Sequence, residues 1–94
     1  MLFVTLLTLK PGKTTRESTE RRLQWQYPEG SKVVAEFWLQ THCPSVVVAM
    51  EMGSVADMMG MIGVWDDLYD ITVAPAVTAE EGLAIARQMM EQSR

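Results

Sequence analysis

Leu2-Phe3-Val4-Thr5-Leu6-Leu7-Thr8-Leu9 and Ser45-Val46-Val47-Val48-Ala49-Met50-Glu51-Met52 are the two runs on which the fold turns. Each is rich in aliphatic and β-branched residues and too short for a core helix, so each reads as a strand. Taken with a period of two, Phe3, Thr5, Leu7 and Leu9 face one way in the first run, and Leu2, Val4, Leu6 and Thr8 face the other. The second run is nearly as apolar on both sides. A strand that is apolar on both faces belongs in the middle of a sheet covered on both sides.

Outward from these runs the remaining elements fall into order. Lys32–Gln40 alternates, with Val33, Ala35, Phe37 and Leu39 on one side and Val34, Glu36, Trp38 and Gln40 on the other, which predicts a half-buried strand. Thr41-His42-Cys43-Pro44 turns the chain into the next strand and makes the pair an antiparallel hairpin. Leu68–Val77 is a fourth strand, and Pro75, lacking an N–H, confines it to a sheet edge. Between the first two strands, Thr14-Thr15-Arg16-Glu17 has capping-box spacing and opens a polar helix to about Gln24, with Leu23 and Trp25 as its main apolar residues. Tyr27-Pro28-Glu29-Gly30 ends it. Ser54 caps a second helix whose predicted buried stripe is Val55, Met58, Met59, Ile62 and Trp65. Thr78-Ala79-Glu80-Glu81 opens a third, with Leu83, Ala86 and Met90 on one face and Ile85 and Met89 beside them.

The order β-α-β-β-α-β plus a C-terminal helix predicts an α+β, ferredoxin-like domain with a four-stranded antiparallel sheet, spanning residues 1–94. Strands one and three are then central and strands two and four are edges. Two helices cover one face. The other face carries Val, Leu and Trp and would be wet in a lone subunit. The expectation is a homodimer formed by sheet-to-sheet packing, a dimeric α/β barrel; the third helix covering that face within one chain is the alternative.

Composition narrows the function classes. With 94 residues, 48% hydrophobic and 21% charged, the chain is one small globular domain with a thin core. One cysteine excludes an internal disulfide framework or a multi-cysteine zinc site, and fits a reducing cytoplasm. No apolar run reaches the ~20 residues that span a bilayer, and Leu2–Leu9 lacks the flanks of a signal peptide, so no membrane association is expected. The net charge of −4 argues against a nucleic-acid partner. The charge is uneven: residues 1–32 carry six Lys/Arg and three Glu, residues 33–94 two basic and nine acidic residues. Pairing between the two parts, or between subunits, competes with a merely solvated helix face.

Leu2-Phe3-Val4, Lys10-Pro11-Gly12-Lys13, Glu20-Arg21-Arg22-Leu23, Pro28-Glu29-Gly30, Glu36-Phe37-Trp38-Leu39-Gln40 and Trp65-Asp66-Asp67-Leu68-Tyr69-Asp70 resemble an uncharacterised domain-of-unknown-function family of small ferredoxin-like, dimeric α/β-barrel proteins. The resemblance implies the fold and the dimer and supplies no reaction. The wider barrel superfamily holds cofactor-free monooxygenases, lactone isomerases and small-ligand sensors, an analogy at fold level only.

Chemistry-bearing residues are few. Glu36 and Trp38 share a strand face, with Glu51 available from the neighbouring strand. Inside the barrel, burial would raise the Glu36 carboxyl and make it a general base, while Trp38 stacks a flat ligand. The competing reading is an edge strand with a wet outer face. His42, the one histidine, lies in a turn beside Cys43. Adjacent side chains of an extended segment point apart, which disfavours a thiolate–imidazole pair, but His42 at a barrel mouth would serve as a proton shuttle. Tyr69 is placed to share a cleft with Trp38. Asp66, Asp67 and Asp70 lack the ligand set of a calcium loop, and pairing with Arg21 or Arg22 is an alternative to solvation. No phosphate loop, Cys-x-x-Cys pair or nucleophile elbow occurs, and no metal or cofactor is expected. The expected function is that of a small-molecule-binding dimer, in its sharper form a cofactor-independent enzyme acting on a flat or apolar substrate. Glu36 and His42 would be its catalytic residues, and Trp38, Tyr69 and Glu51 its substrate contacts. The alternative is a non-catalytic interaction or sensor module.

Overall fold

Strand β1 (Leu2–Leu9) pairs antiparallel with both β3 (Val46–Glu51) and β4 (Tyr69–Ala76), and β2 (Lys32–Trp38) pairs with β3, so the sheet order is β2-β3-β1-β4. The computed structural model describes residues 1–93; Arg94, the last residue of the expected domain, lies outside them. Helices α1 (Thr15–Gln24), α2 (Val55–Trp65) and α3 (Ala79–Gln92) complete a β-α-β-β-α-β-α order. The protein is therefore α+β with one four-stranded antiparallel sheet, consistent with the ferredoxin-like arrangement. The doubly apolar strands are central, and Pro75 sits in an edge strand, opposite Phe3 of β1. No helix among the described residues is long and apolar enough to cross a membrane.

The helix ends follow their sequence signals. Thr14 accepts from Glu17 N–H while the Glu17 carboxylate accepts from Thr14 N–H, a complete capping box. Ser54 and Thr78 accept from the N–H groups of Asp57 and Glu81.

The core lies between one face of the sheet and α2. Phe3, Val48, Met50, Met52, Met58 and Met61 form one buried cluster; Trp65, Leu68 and Tyr69 form a second. On α2 the buried residues are Met58, Met61 and Trp65 with Ile62 beside them, whereas Val55 and Met59 are exposed. The stripe is thus rotated from the predicted one. Apolar residues surround this helix on several sides, so periodicity alone did not fix which face turns inward. Leu23 of α1 is 79% exposed, and Trp25, just past the helix, packs on the core instead.

Two departures shape the site. The alternation of β2 is broken by a bulge: Val33 lies opposite Met50 but Ala35 lies opposite Ala49, leaving Val34 as the extra residue. Directly opposed residues share a face. Val33, Glu36 and Trp38 therefore stand on the helix-covered side with Met50, Val48 and Val46, and Ala35 and Phe37 stand on the uncovered side. Trp38, expected on the uncovered side, does not lie there. Helix α3 buries none of its side chains among the described residues; Leu83, Ile85, Met89 and Met90 are all exposed. It leaves Phe37 (60% exposed) and Leu6 of the open face uncovered. The chain is correspondingly elongated, 54 × 29 × 17 Å, with a radius of gyration of 16.0 Å against about 12 Å for a compact chain of this length.

Candidate functional site

A cavity of about 380 Å³ opens between the helix-covered face of the sheet and the segment running from α1 to Tyr27. Leu7, Val46, Val48 and Ile71 of the sheet form its apolar floor, with Trp25 and Trp65 against them. The aromatic groups brace one another edge to face: Trp25 is 4.5 Å from Tyr27 and 5.5 Å from Trp65, centroid to centroid, at interplanar angles of 69° and 81°. Trp25 follows the last residue of α1 in extended geometry (φ −100°, ψ 143°), so Trp25 and Tyr27 project to one side, towards the cavity.

Glu36 is the hub of the polar wall. Its Oε1 accepts from Arg22 Nη2 at 3.2 Å and from the Tyr27 hydroxyl; its Oε2 accepts from Trp38 Nε1 at 2.7 Å and Arg22 Nε at 3.3 Å. The Arg22 guanidinium also lies 5.1 Å from the Tyr27 ring centroid. Burial pushes the Glu36 carboxyl up, but hydrogen bonds from Arg22, Tyr27 and Trp38 outweigh it and hold the group below its ordinary range. This reverses the expectation of a raised carboxyl: with four donors on two oxygens, the ionised form is the satisfied one. The Tyr27 hydroxyl is pushed well up, first by burial and then by its bond to Glu36.

Tyr69 is buried, lines the same cavity as Trp38, and its hydroxyl is hydrogen-bonded to Ser18. His42 reaches the cavity from the exposed β2–β3 loop, at the rim with Gln40 and Thr41. Glu36, Trp38, Tyr69 and His42 are thus brought together. Glu51 is not. It lies opposite Leu2 and Lys32 on the uncovered face, its Oε2 3.4 Å from the Met1 amino nitrogen. The alternation of β3 turns Met50 into the core and so turns Glu51 away from it. Cys43 is exposed, with its sulfur 3.9 Å from the Thr8 hydroxyl.

Of the three aspartates Asp66, Asp67 and Asp70, it is Asp67 that is paired with an arginine. Asp67 takes a bidentate pair from Arg21, at 2.5 and 2.8 Å, which holds its carboxyl at about 2. Arg21–Asp67 and Arg22–Glu36 both join the basic first third of the chain to the acidic remainder.

Sequence reasoning missed four contributors. Trp25 and Tyr27 carried a signal, two aromatics at i, i+2 beyond a helix end. Arg22 carried a weaker one, the surplus of basic residues on α1. Thr5 carried none: its β-branched shape suits any strand, and only the structure shows its Oγ1 buried and without a partner.

No curated protein and no solved structure matches the chain. A family model does match, over residues 1–90, and its description is Domain of unknown function (DUF3303). With the match covering nearly the whole length, the chain belongs to that family.

Proposed function

We propose that the protein binds a small, flat, largely apolar molecule in the cavity beneath α1, and that it works as a homodimer. The observation that carries the first part is the cavity itself: about 380 Å³, within the range of small-ligand sites, walled by tryptophans and aliphatics with a few convergent polar groups. The state of Glu36 supports binding over proton transfer. A carboxylate saturated by Arg22, Tyr27 and Trp38 orients the indole and the arginine and is poorly placed to accept a further proton. If chemistry occurs, His42 at the rim is the group suited to shuttle a proton.

Two uncovered apolar surfaces support the homodimer. The open sheet face spans roughly 19 by 27 Å at about 4.8 Å per strand and 3.4 Å per residue, or on the order of 500 Å². Helix α3 adds an apolar strip about 21 Å long. Together they approach the ~800 Å² that each partner of a stable complex buries. A second copy presents the same face and helix, which suits a two-fold, self-complementary contact.

The test is a thermal-shift screen of the purified protein against flat aromatic and alicyclic compounds, repeated with Glu36→Gln and Trp38→Ala. Hits on the wild type weakened by both substitutions support the site. Hits that neither substitution affects would place the ligand elsewhere.

A further inference from the structure

Helix α3 buries none of its side chains, and Leu83, Ile85, Met89 and Met90 are between 47% and 66% exposed. At about 3.6 residues per turn these four, with Ala86 between them, lie within an arc of about 160°, and the charged residues lie outside it. A lone helix of this length is marginal in water, so its apolar arc needs a surface to cover it. Val77, just before the helix, is also exposed and extends the strip. A Cβ built on Gly82 would lie 3.6 Å from Val77 Cγ2, which sets Val77 on the side of the helix where Gly82 sits. The strip from Val77 to Met90 has its midpoint between Leu83 and Ala84.

The charges share that midpoint. Glu80 and Arg87 flank the strip along one edge, beside Leu83 and Met90, and stand about two turns apart, beyond the reach of an intrahelical pair. Arg87 forms no ion pair among the described residues. A two-fold axis through the midpoint, with two copies of α3 antiparallel, sets Glu80 of each copy opposite Arg87 of the other and Val77 opposite Met90. In an antiparallel pair, like edges of the two helices meet. A parallel pair would bring opposite edges together and set Glu80 towards the Glu81 of the other copy, with no cation between them. Antiparallel helices slid to full overlap would set Glu80 against Glu91 of the other copy. Apolar strip and charges therefore select the same direction and the same register, and antiparallel dipoles favour it as well.

We propose that α3 docks on α3 of a second copy, antiparallel across a two-fold axis between residues 83 and 84, with two reciprocal Glu80–Arg87 ion pairs along one edge. This seam rests on the homodimer reading and specifies which elements meet, in which direction and in which register. A single surface that meets its own copy is the contact a two-fold dimer requires. The apolar strip supplies the attraction, and the ion pairs at its rim fix direction and register.

Charge reversal in the full chain tests it, read by sedimentation equilibrium at low salt. Glu80→Arg and Arg87→Glu each turn both pairs repulsive, and each should weaken dimerisation about tenfold. An equimolar mixture of the two variants restores both pairs and should recover the wild-type affinity, which also shows that both are folded. Direction is read separately by disulfide formation in a Cys43→Ser background. Leu83→Cys, beside the axis, should link to its own copy. Met90→Cys should not, since its two copies stand about 20 Å apart along the pair. A wild-type protein that is monomeric would overturn the homodimer reading and the seam together. A wild-type dimer that neither reversal weakens, or that mixing does not restore, would overturn the seam and leave the homodimer. Self-linking by Met90→Cys, or its absence in Leu83→Cys, would overturn the antiparallel register.

Discussion

Arg22, on α1, and Glu36, on the edge strand β2, are joined by two nitrogen–oxygen contacts of 3.3 and 3.2 Å across the rim of the cavity. This pair ties a helix with no buried residues to the sheet. It also holds the Trp38 indole in place through the shared carboxylate.

Removing that carboxylate should loosen both. Glu36→Gln leaves Arg22 partly buried without its counter-charge, and a loss of about 1–3 kcal/mol in unfolding free energy is expected. Urea denaturation at neutral pH measures it. A loss indistinguishable from zero would mean that α1 is held by other contacts.

The same pair predicts a pH dependence. The Glu36 carboxyl titrates lower in the folded protein than its ordinary value of 4.5, so the stability it contributes is complete above that value. It should fade as pH falls through the lower, folded value. In Glu36→Gln this component of the acid-side loss should be missing, as read from paired denaturation curves across the acid range.

Asp67 offers an independent check on a surface pair. Its carboxyl should titrate near 2 by NMR, and in Arg21→Gln it should move up towards 3.8. Because the pair is exposed, high salt should shrink the difference. Unchanged titration in the variant would exclude the bidentate contact.

Thr5→Val should raise the stability of the ligand-free protein. Removing an unpaired buried hydroxyl in favour of a methyl group of the same shape is worth about 1 kcal/mol, or several degrees in a domain of this size. Scanning calorimetry provides the value. A destabilised variant would indicate that the hydroxyl is already satisfied, for example by an ordered water.

Phe37→Glu on the open face and Ile85→Glu on α3 should each convert the proposed dimer to a monomer, as read by light scattering, without unfolding it. Both side chains are exposed in the single chain and support none of its core. A wild-type protein already monomeric at tens of micromolar would remove the dimer.

The elements were legible where one physical constraint acted alone. The double apolarity of Leu2–Leu9 placed β1 in the centre, and the missing N–H of Pro75 placed β4 at an edge. Thr14, Ser54 and Thr78 marked three helix starts through their hydroxyls. Legibility failed where several residues were interchangeable. Val33, Val34 and Ala35 are all apolar, so nothing in the sequence marks Val34 as the bulge that sets which face Glu36 and Trp38 share with the helices. The α2 stripe was ambiguous for the same reason. Glu36, Trp38, Tyr69 and His42 converge on the cavity, but the partners that fix the state of Glu36 come from Arg22 and Tyr27, whose spacing to it along the chain carries no motif.

Amide NMR mapping of a bound aromatic probe tests the central claim most directly. The cavity reading predicts that the largest shifts cluster at Thr5, Trp25, Trp38 and Tyr69, with little change at Val34, Phe37 or Glu51. Shifts concentrated on the open sheet face and α3, with Thr5 and Tyr69 unmoved, would contradict it.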